Sequence, residues 1–468
     1  MEKKHIRGSF TGSLGFVLAA AGSSVGLGNI WRFPYLAAKD GGGVFLLTYL
    51  VLALTFGFTL LITEIAIGRK TGQSPLTAYG VIHKKMAWVG VFACLIPQLI
   101  LPYYCSIGGW VLKYLAVYLT GQGGAAAMDG YFGAFITAQW SPIFWFLLFM
   151  GLTTFFVYRG VDKGIEKLSR VVMPILLVMI MGVALFSLFL KYTDDSGVTR
   201  TGVQGLLVYV VPNFSGMTFK QFMVVLTDAM GQLFYSISVA MGIMIAYGSY
   251  VPKDTDLVKS VNRIELCDAF VAFLAGLMII PAVFTFMGAE GMSASGPALM
   301  FKALPKVFDA MGSVVGGIVG IVFFMSVAFA AVTSSVSVME AVVSSVIDQF
   351  GWKREKATLS VMAVSLVVGI LVCLGYNTLY FEVSLPNGTV AQILDILDYI
   401  SNYIMMPVVS IATCVFVGWV VKPKTVIEEV TLNGNKFHRE KVFLVMVKFV
   451  TPLLLSLLLL QALGLIRF

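Results

Sequence analysis

The chain has 468 residues, of which 58% are apolar and only 12% are charged. Soluble domains carry roughly 25% charged residues, so a water-borne protein of this size would lack the polar groups to cover its surface, whereas a bilayer accepts an apolar exterior. Composition thus excludes an ordinary soluble protein, and the net charge of +8 is a distribution along the chain to be read for topology, not a nucleic-acid footprint.

Among the stretches of at least 18 residues that contain no Asp, Glu, Lys, Arg or His, eleven are read as spans: 8–31, 41–63, 86–112, 141–158, 171–190, 229–252, 269–289, 310–339, 357–375, 399–421 and 449–466. Each is long enough to cross ~30 Å of hydrocarbon as a helix rising ~1.5 Å per residue. The loops hold too little polar sequence for a second domain, so residues 1–468 read as one all-α integral membrane domain. With the N-terminus inside, 22 of the 32 Lys and Arg fall in cytoplasmic segments and seven at the opposite side. Basic residues collect in cytoplasmic loops, so the N-terminus is expected inside and, after eleven spans, the C-terminus outside. The first stretch follows a basic head, but it is too rich in Gly and Ser for a signal-peptide core and has no evident cleavage site. The five cysteines show no CxxC spacing, and the three histidines fall in expected cytoplasmic segments. Neither a zinc site, a disulfide framework nor an intramembrane catalytic constellation is indicated, so an embedded enzyme is disfavoured.

Two spans are wrong for uninterrupted helices. The first contains Gly22-Ser23-Ser24-Val25-Gly26-Leu27-Gly28-Asn29, and the sixth contains Ser236-Ile237-Ser238-Val239-Ala240-Met241-Gly242. Each Gly costs about 1 kcal/mol of helix propensity, and irregular backbone at mid-bilayer survives only where it lines a buried cavity. Small residues also serve close helix packing. Interruptions at matching places in two five-span halves point instead to a transporter site built from freed N–H and C=O groups.

The residues that carry a family likeness are Gly26-Leu27-Gly28-Asn29-Ile30-Trp31-Arg32-Phe33-Pro34-Tyr35, then Gly41-Gly42-Gly43 and Glu64-Ile65-Ala66-Ile67-Gly68-Arg69. Together they closely resemble the signature of the neurotransmitter:sodium symporter family, in its bacterial eleven-span amino-acid transporter branch. The resemblance implies a LeuT-type fold with 11 transmembrane helices. A five-plus-five inverted repeat (8–190 and 220–421, with 442–468 as helix 11) would have helices 1 and 6 unwound at mid-membrane. It also implies a sodium-coupled secondary active symporter in a bacterial cytoplasmic membrane, importing a neutral hydrophobic L-amino acid by alternating access with two Na+.

Sodium takes hard oxygen ligands, which carbonyls of unwound helix and Ser, Thr, Asn and Asp side chains supply. Carried over by motif, one sodium site would use the Ser24 carbonyl, Asn29, Ser236 and Asp268, with the substrate carboxylate as a further ligand. Asp268 heads an otherwise uncharged span, and intramembrane acids are functional by default, although an acid near a helix N-terminus is also favoured by the macrodipole. The second site would use the Gly22, Val25 and Ala330 carbonyls with the Thr333 and Ser334 hydroxyls. Ala330, Thr333 and Ser334 lie at i, i+3 and i+4 on one helix face; the alternative is that the hydroxyls back-bond to their own helix.

The substrate carboxylate would meet sodium, N–H groups near Gly26 and Leu27, and the Tyr104 hydroxyl. Ser24, Ser236 and Ser238 of the interrupted segments, with Ile100, Tyr235, Met241, Ser335 and Val338, would complete the surround. An apolar lining with few hydroxyls suits a neutral, hydrophobic amino acid. Arg32 and Asp398 resemble the family's extracellular gating pair above an aromatic lid of Tyr104 and Tyr235, and Arg7 and Asp348, near Tyr250, the cytoplasmic pair. Interfacial snorkelling is the other reading of such charges. Glu64 is expected to brace the broken helices by accepting their orphan N–H bonds.

Chloride independence is expected too. Animal relatives place Asn where this chain has Asp268 and bind chloride partly through a Ser one turn later, where this chain has Ala272. A transport-silent amino-acid receptor or a channel of the same architecture remains the alternative. A channel needs a continuous polar pore, and here the polar residues cluster at mid-depth.

Overall fold

The computed structural model describes residues 8–194, 196–291 and 296–466, with the side chains of all of these except 289, 290 and 296. Arg7, expected in the cytoplasmic gate, lies outside the described residues. The first membrane element is bent by 52° between α1 (Ser13–Ser24) and α2 (Gly28–Lys39). There follow α3 (Gly43–Thr71), the short α4 (Pro75–Ile82), α5 (Lys84–Leu119), α6 (Ser141–Tyr158) and α7 (Val161–Leu188). The sixth element is split into α8 (Phe219–Ser236) and α9 (Ile243–Gly248). After it come α10 (Leu257–Gly288), α11 (Ser313–Phe350), α12 (Arg354–Leu374), α13 (Ile393–Val420), the short α14 (Lys424–Val430) and α15 (Glu440–Ala462).

Among the described residues, nine of these helices are long and apolar enough to cross a membrane, and the bent α1/α2 pair makes ten. The α8/α9 element does not pass as one span, because six residues, Ile237 to Gly242, separate its halves. Eleven crossings therefore require the sixth element to cross while broken. Its helix also starts about ten residues before the charge-free window 229–252. Thr218 and Gln221 close a reciprocal capping box at its N-terminus, so Lys220 and Asp228 ride inside a helix that a hydropathy window trims.

The outer faces carry the apolar surface that composition demanded. Leu47, Leu50 and Leu54 on α3 and Phe144, Leu148 and Phe155 on α6 are exposed, as hydrocarbon allows and water would not. Inside, the long α5 and α11 lie against each other, α10 packs on α7, and α1 runs between α10 and α11. Two short antiparallel hairpins, β1 (Lys191–Thr193) with β2 (Thr199–Thr201) and β3 (Val383–Ser384) with β4 (Val390–Ala391), fill connections. We call the end of the bundle where α1 begins the near end and the opposite one the far end.

The join of α3 to α9 shows what the family-like glycines are for. A Cβ at Gly68 would fall onto the carbonyl of Ile245, and one at Gly248 would lie 2.9 Å from Ile65 Cα, so backbones touch where side chains are absent. Overpacking of this kind costs typically 1–3 kcal/mol. Gly248→Val is expected to destabilise the protein by about that amount, checked by thermal unfolding in detergent; an unchanged melting profile would remove this contact from the account.

Candidate functional site

Between α1 and α2 the N–H groups leave the helical ladder one by one. Val25 N–H still donates to Ala21 C=O at 2.7 Å. Gly26 N–H donates instead to Asn29 Oδ1 at 3.4 Å, and Leu27 N–H to the Tyr104 hydroxyl at 3.3 Å. Those two N–H groups would have served the carbonyls of Gly22 and Ser23 in a continuous helix. Ser23 C=O is taken by Ser238 Oγ at 3.1 Å, while the Gly22 carbonyl is released at the end of α1.

The second break uses backbone that side chains resist. Ser238, Ala240 and Gly242 have φ of 55°, 64° and 71°, a left-handed conformation costing roughly 1–2 kcal/mol for each non-glycine residue. Ala240 N–H donates to Glu64 Oε1 at 2.6 Å. Glu64 thus braces one broken helix, the sixth element, through one oxygen. The two breaks face each other, joined by Ser23 Oγ to Ser238 Oγ at 3.2 Å and by Gln232 Nε2 to Gly28 C=O at 3.1 Å.

Asp268 sits at this crossing, 1% exposed. Its Oδ1 accepts from Asn29 Nδ2 and Ser236 Oγ, both at 2.8 Å, and its Oδ2 from the Tyr49 hydroxyl at 3.1 Å. Ser236 Oγ also lies 3.1 Å from Asn29 Oδ1. Asn29, Ser236 and Asp268 therefore form one oxygen-rich cluster, a donor set that suits a hard monovalent cation. Ser24, whose carbonyl is the fourth expected member, is buried and lines the same cavity as Asn29 and Ser236; its side-chain Oγ has no partner among the described residues. Among the described residues no three His, Cys, Asp or Glu side chains converge on a metal site, so oxygen donors of mixed type are what the crossing offers.

Ser24, Gly26, Leu27, Ile100, Tyr104, Tyr235, Ser236, Ser238, Met241 and Val338 line one small cavity between the two breaks, together with Ser23, Gly28, Asn29 and Ser334. Its volume is about 20 Å³, room for little more than a water, so helices must part for an organic molecule to enter. Ser335 is not in the lining. It turns to α6, where its Oγ is 2.8 Å from Thr153 Oγ1, because the turn of α11 that directs Ser334 and Val338 inward points Ser335 away.

Comparison with known proteins places this geometry. The family profile of the sodium:neurotransmitter symporter family matches residues 7–124 and 136–467. The chain belongs to the sodium:neurotransmitter symporter family. It is 32% identical to an uncharacterized sodium-dependent transporter, YhdH, of Bacillus subtilis over 100% of both chains. It is 27% identical to the human sodium- and chloride-dependent GABA transporter 2, over 79% of this chain and 69% of that one. The crystal structure of MhsT in complex with L-phenylalanine superposes with a TM-score of 0.84 at 32% identity, over 97% of this chain and 100% of that chain. The fold is of the LeuT type.

In this symporter-family member the second expected oxygen set is partly assembled. Gly22 faces Thr333, with a built Cβ 3.4 Å from Thr333 Cβ, and Val25 ends α1 with ψ of 89°, turning its carbonyl out of the helix. Thr333 Oγ1 donates to Phe329 C=O at 3.0 Å and Ala330 C=O at 3.1 Å. The back-bonding arrangement therefore describes Thr333 here, but a hydroxyl that donates its proton keeps lone pairs for a cation. Ser334 Oγ and the Tyr104 hydroxyl converge on Gly26, at 3.1 and 3.0 Å from a built Cβ.

At the far end Arg32 and Asp398 do not close to an ion pair. The Arg32 guanidinium lies 5.9 Å from the ring centroids of both Tyr235 and Tyr403. Asp398 Oδ1 accepts from the Tyr103 hydroxyl at 3.1 Å and Asn402 Nδ2 at 2.5 Å. Above Tyr235 opens a cavity of about 440 Å³ lined by Arg32, Asp228, Asn402, Tyr403 and Gln461 among others. Tyr235 lines both cavities and is the partition between them.

The near end is closed. Asp348 Oδ2 accepts the Ser74 N–H at 2.7 Å, and the Tyr250 carbonyl accepts the Phe10 N–H at 3.2 Å. The Tyr250 hydroxyl donates to Glu340 Oε1 at 2.6 Å, and Glu340 holds Arg354 through two bonds of 2.7 and 2.9 Å.

Tyr49, Gln232 and the Glu340–Arg354 pair escaped the sequence reading. Gln232 could have been found, since it lies four residues before Ser236 on the same helix face. Tyr49 carries no such signal in an apolar span.

The double substitution Thr333→Ala with Ser334→Ala is expected to abolish sodium-stimulated substrate binding. Ser335→Ala, whose side chain faces α6, should change affinity by less than about threefold. Scintillation proximity binding with sodium and potassium checks both.

Proposed function

We propose that the protein is a sodium-coupled symporter that imports a neutral, hydrophobic L-amino acid by alternating access. Two sodium ions would ride with each substrate, one at Ser24, Asn29, Ser236 and Asp268, the other at Gly22, Val25, Ala330, Thr333 and Ser334. The observation that carries the reading is the meeting of the two helix breaks beside Asp268, where Asn29 and Ser236, one from each broken element, both line the cavity between the breaks and both bond the Asp268 carboxylate. Family membership supports sodium coupling, and the phenylalanine bound by MhsT supports an amino-acid substrate.

The substrate ammonium is assigned to carbonyls of the two breaks and its carboxylate to sodium, the Leu27 N–H and the Tyr104 hydroxyl. Ile100, Met241 and Val338 supply an apolar floor with no buried charge to pair a cationic or acidic side chain. Two sodium ions moving with a zwitterion carry about two charges, worth ~2.3 kcal/mol each per 100 mV. That sums to ~4.6 kcal/mol, a concentration ratio of roughly 10³. The repeats 8–190 and 220–421 would rock about this site in a bacterial cytoplasmic membrane, the near end inside and the C-terminus outside. The basic residues of the near-end loops support that orientation.

Chloride should be dispensable. Sodium beside a carboxylate substrate in a dry site needs balancing negative charge, and ionised Asp268 with three donors around it supplies that charge. Uptake into proteoliposomes, tested with a radiolabelled amino-acid panel, should require sodium over potassium and persist when gluconate replaces chloride on both sides. A large loss of rate in gluconate would refute chloride independence, and uptake indifferent to sodium would refute the symporter reading.

Ala240 sets the side-chain preference. Its methyl group stands in left-handed backbone beside Met241 of the cavity and takes space in a crowded break. Leu, Ile, Val or Met should therefore bind better than Trp, and Ala240→Gly should improve competition by aromatic amino acids. Tighter binding of Trp than Leu by the unmodified protein would contradict this.

A further inference from the structure

We infer that Glu166 is a positioning residue for transport, a latch that fastens the start of α1 to α7 and holds the near end closed. The inference rests on the alternating-access reading above, because a latch has meaning only if that end opens.

An α-helix leaves its first N–H groups without intrahelical partners and carries partial positive charge at that end. The residue before α1 is Gly12, which offers no side-chain cap. Glu166, from the π-helical turn Val161–Glu166 that opens α7, places a carboxylate at this end by holding Thr11, the residue just before Gly12. Its Oε2 accepts the Thr11 N–H at 2.9 Å, and its Oε1 accepts the Thr11 hydroxyl. Arg170, one turn further along α7, donates through Nη2 to Glu166 Oε1 and to Thr11 Oγ1, both at 2.6 Å. The carboxylate is 2% exposed, whereas Arg170 is 46% exposed, so the acid is buried and its cation reaches water.

Gly15 makes the contact possible. A Cβ there would fall inside the Glu166 carboxylate, so the first turn of α1 has a gap where the acid lies. Ser13, on the same turn, meets Ser260 of α10 with their Oγ atoms 3.3 Å apart. Opening of the near end requires α1 to part from α7 and α10. These bonds exist only while it is closed, so Glu166 stabilises the closed form selectively, and charge-assisted bonds to a buried carboxylate are the strong ones.

The test uses the full-length protein in nanodiscs with Ser260→Cys as reporter, since Ser260 is fully buried beneath α1. The rate of labelling by a hydrophilic maleimide, measured in potassium chloride, reports opening of the near end. Glu166→Gln and, separately, Gly15→Ala should each raise that rate roughly tenfold, equivalent to about 1.4 kcal/mol. Native Cys105, buried at mid-bundle, should label at its unmodified rate. Unchanged reporter labelling in both variants would overturn the latch, and so would Cys105 labelling that rises in parallel, because the effect would then be general loosening. Repeating the series in sodium chloride separates this inference from its premise. Sodium should slow reporter labelling in the unmodified protein; if it has no effect there, the sodium-coupling reading falls while the potassium result still decides the latch.

Discussion

Everything at the centre of this protein follows from one constraint: in hydrocarbon a backbone N–H or C=O without a partner costs several kcal/mol. A helix meets that demand by itself, so breaking two helices at mid-bilayer commits the rest of the bundle to supplying partners. Asn29, Tyr104 and Glu64 take N–H groups of Gly26, Leu27 and Ala240, and Ser238 takes the carbonyl of Ser23. The exchange is asymmetric. Side chains satisfy the freed N–H groups, whereas the Gly22 carbonyl is left over, and a surplus of oxygens in a dry place is what a small cation can use.

Buried acids mark the joins between elements. Asp268 gathers the two broken elements and α3 through Asn29, Ser236 and Tyr49. Glu340 and Glu166 tie down the near end, each with an arginine that reaches solvent. At the far end Arg32 and Asp398 are held by aromatic rings, a hydroxyl and an amide instead of by each other. One end is thus stitched by charge-assisted bonds and the other has a broad cavity, with Tyr235 as the floor between cavity and site. On the far side Tyr235 stands between the broad cavity and the small one, whereas the near end is tied by buried ionic contacts.

Left-handed backbone at Ser238 and Ala240 shows how far the second break departs from a helix. Glycine would adopt those angles freely, so a methyl group at 240 is tolerated at a conformational cost. The same economy appears at Gly28, where a Cβ would lie 2.8 Å from the Tyr235 ring, and at Gly15, where it would displace a carboxylate. In each case the absence of a side chain decides which neighbour can approach.

The membrane class, the two interrupted segments and the family were legible in the sequence, because they rest on composition, on Gly and Ser at impossible depth, and on motifs contiguous in the chain. The meeting of Asn29, Ser236 and Asp268 was legible through those motifs, with Glu64 as a brace. Where a side chain points was not: Ser335 turns to Thr153 while its neighbour Ser334 faces the cavity, a matter of helix rotation that spacing within one segment leaves open. The start of α8 at Phe219 was hidden because a charge-free window cannot see a capping box. Tyr49 at Asp268, and Glu166 against the gap at Gly15, join residues more than 150 positions apart. Only tertiary packing decides such contacts, since each depends on how several helices lean together and on volume left empty between them.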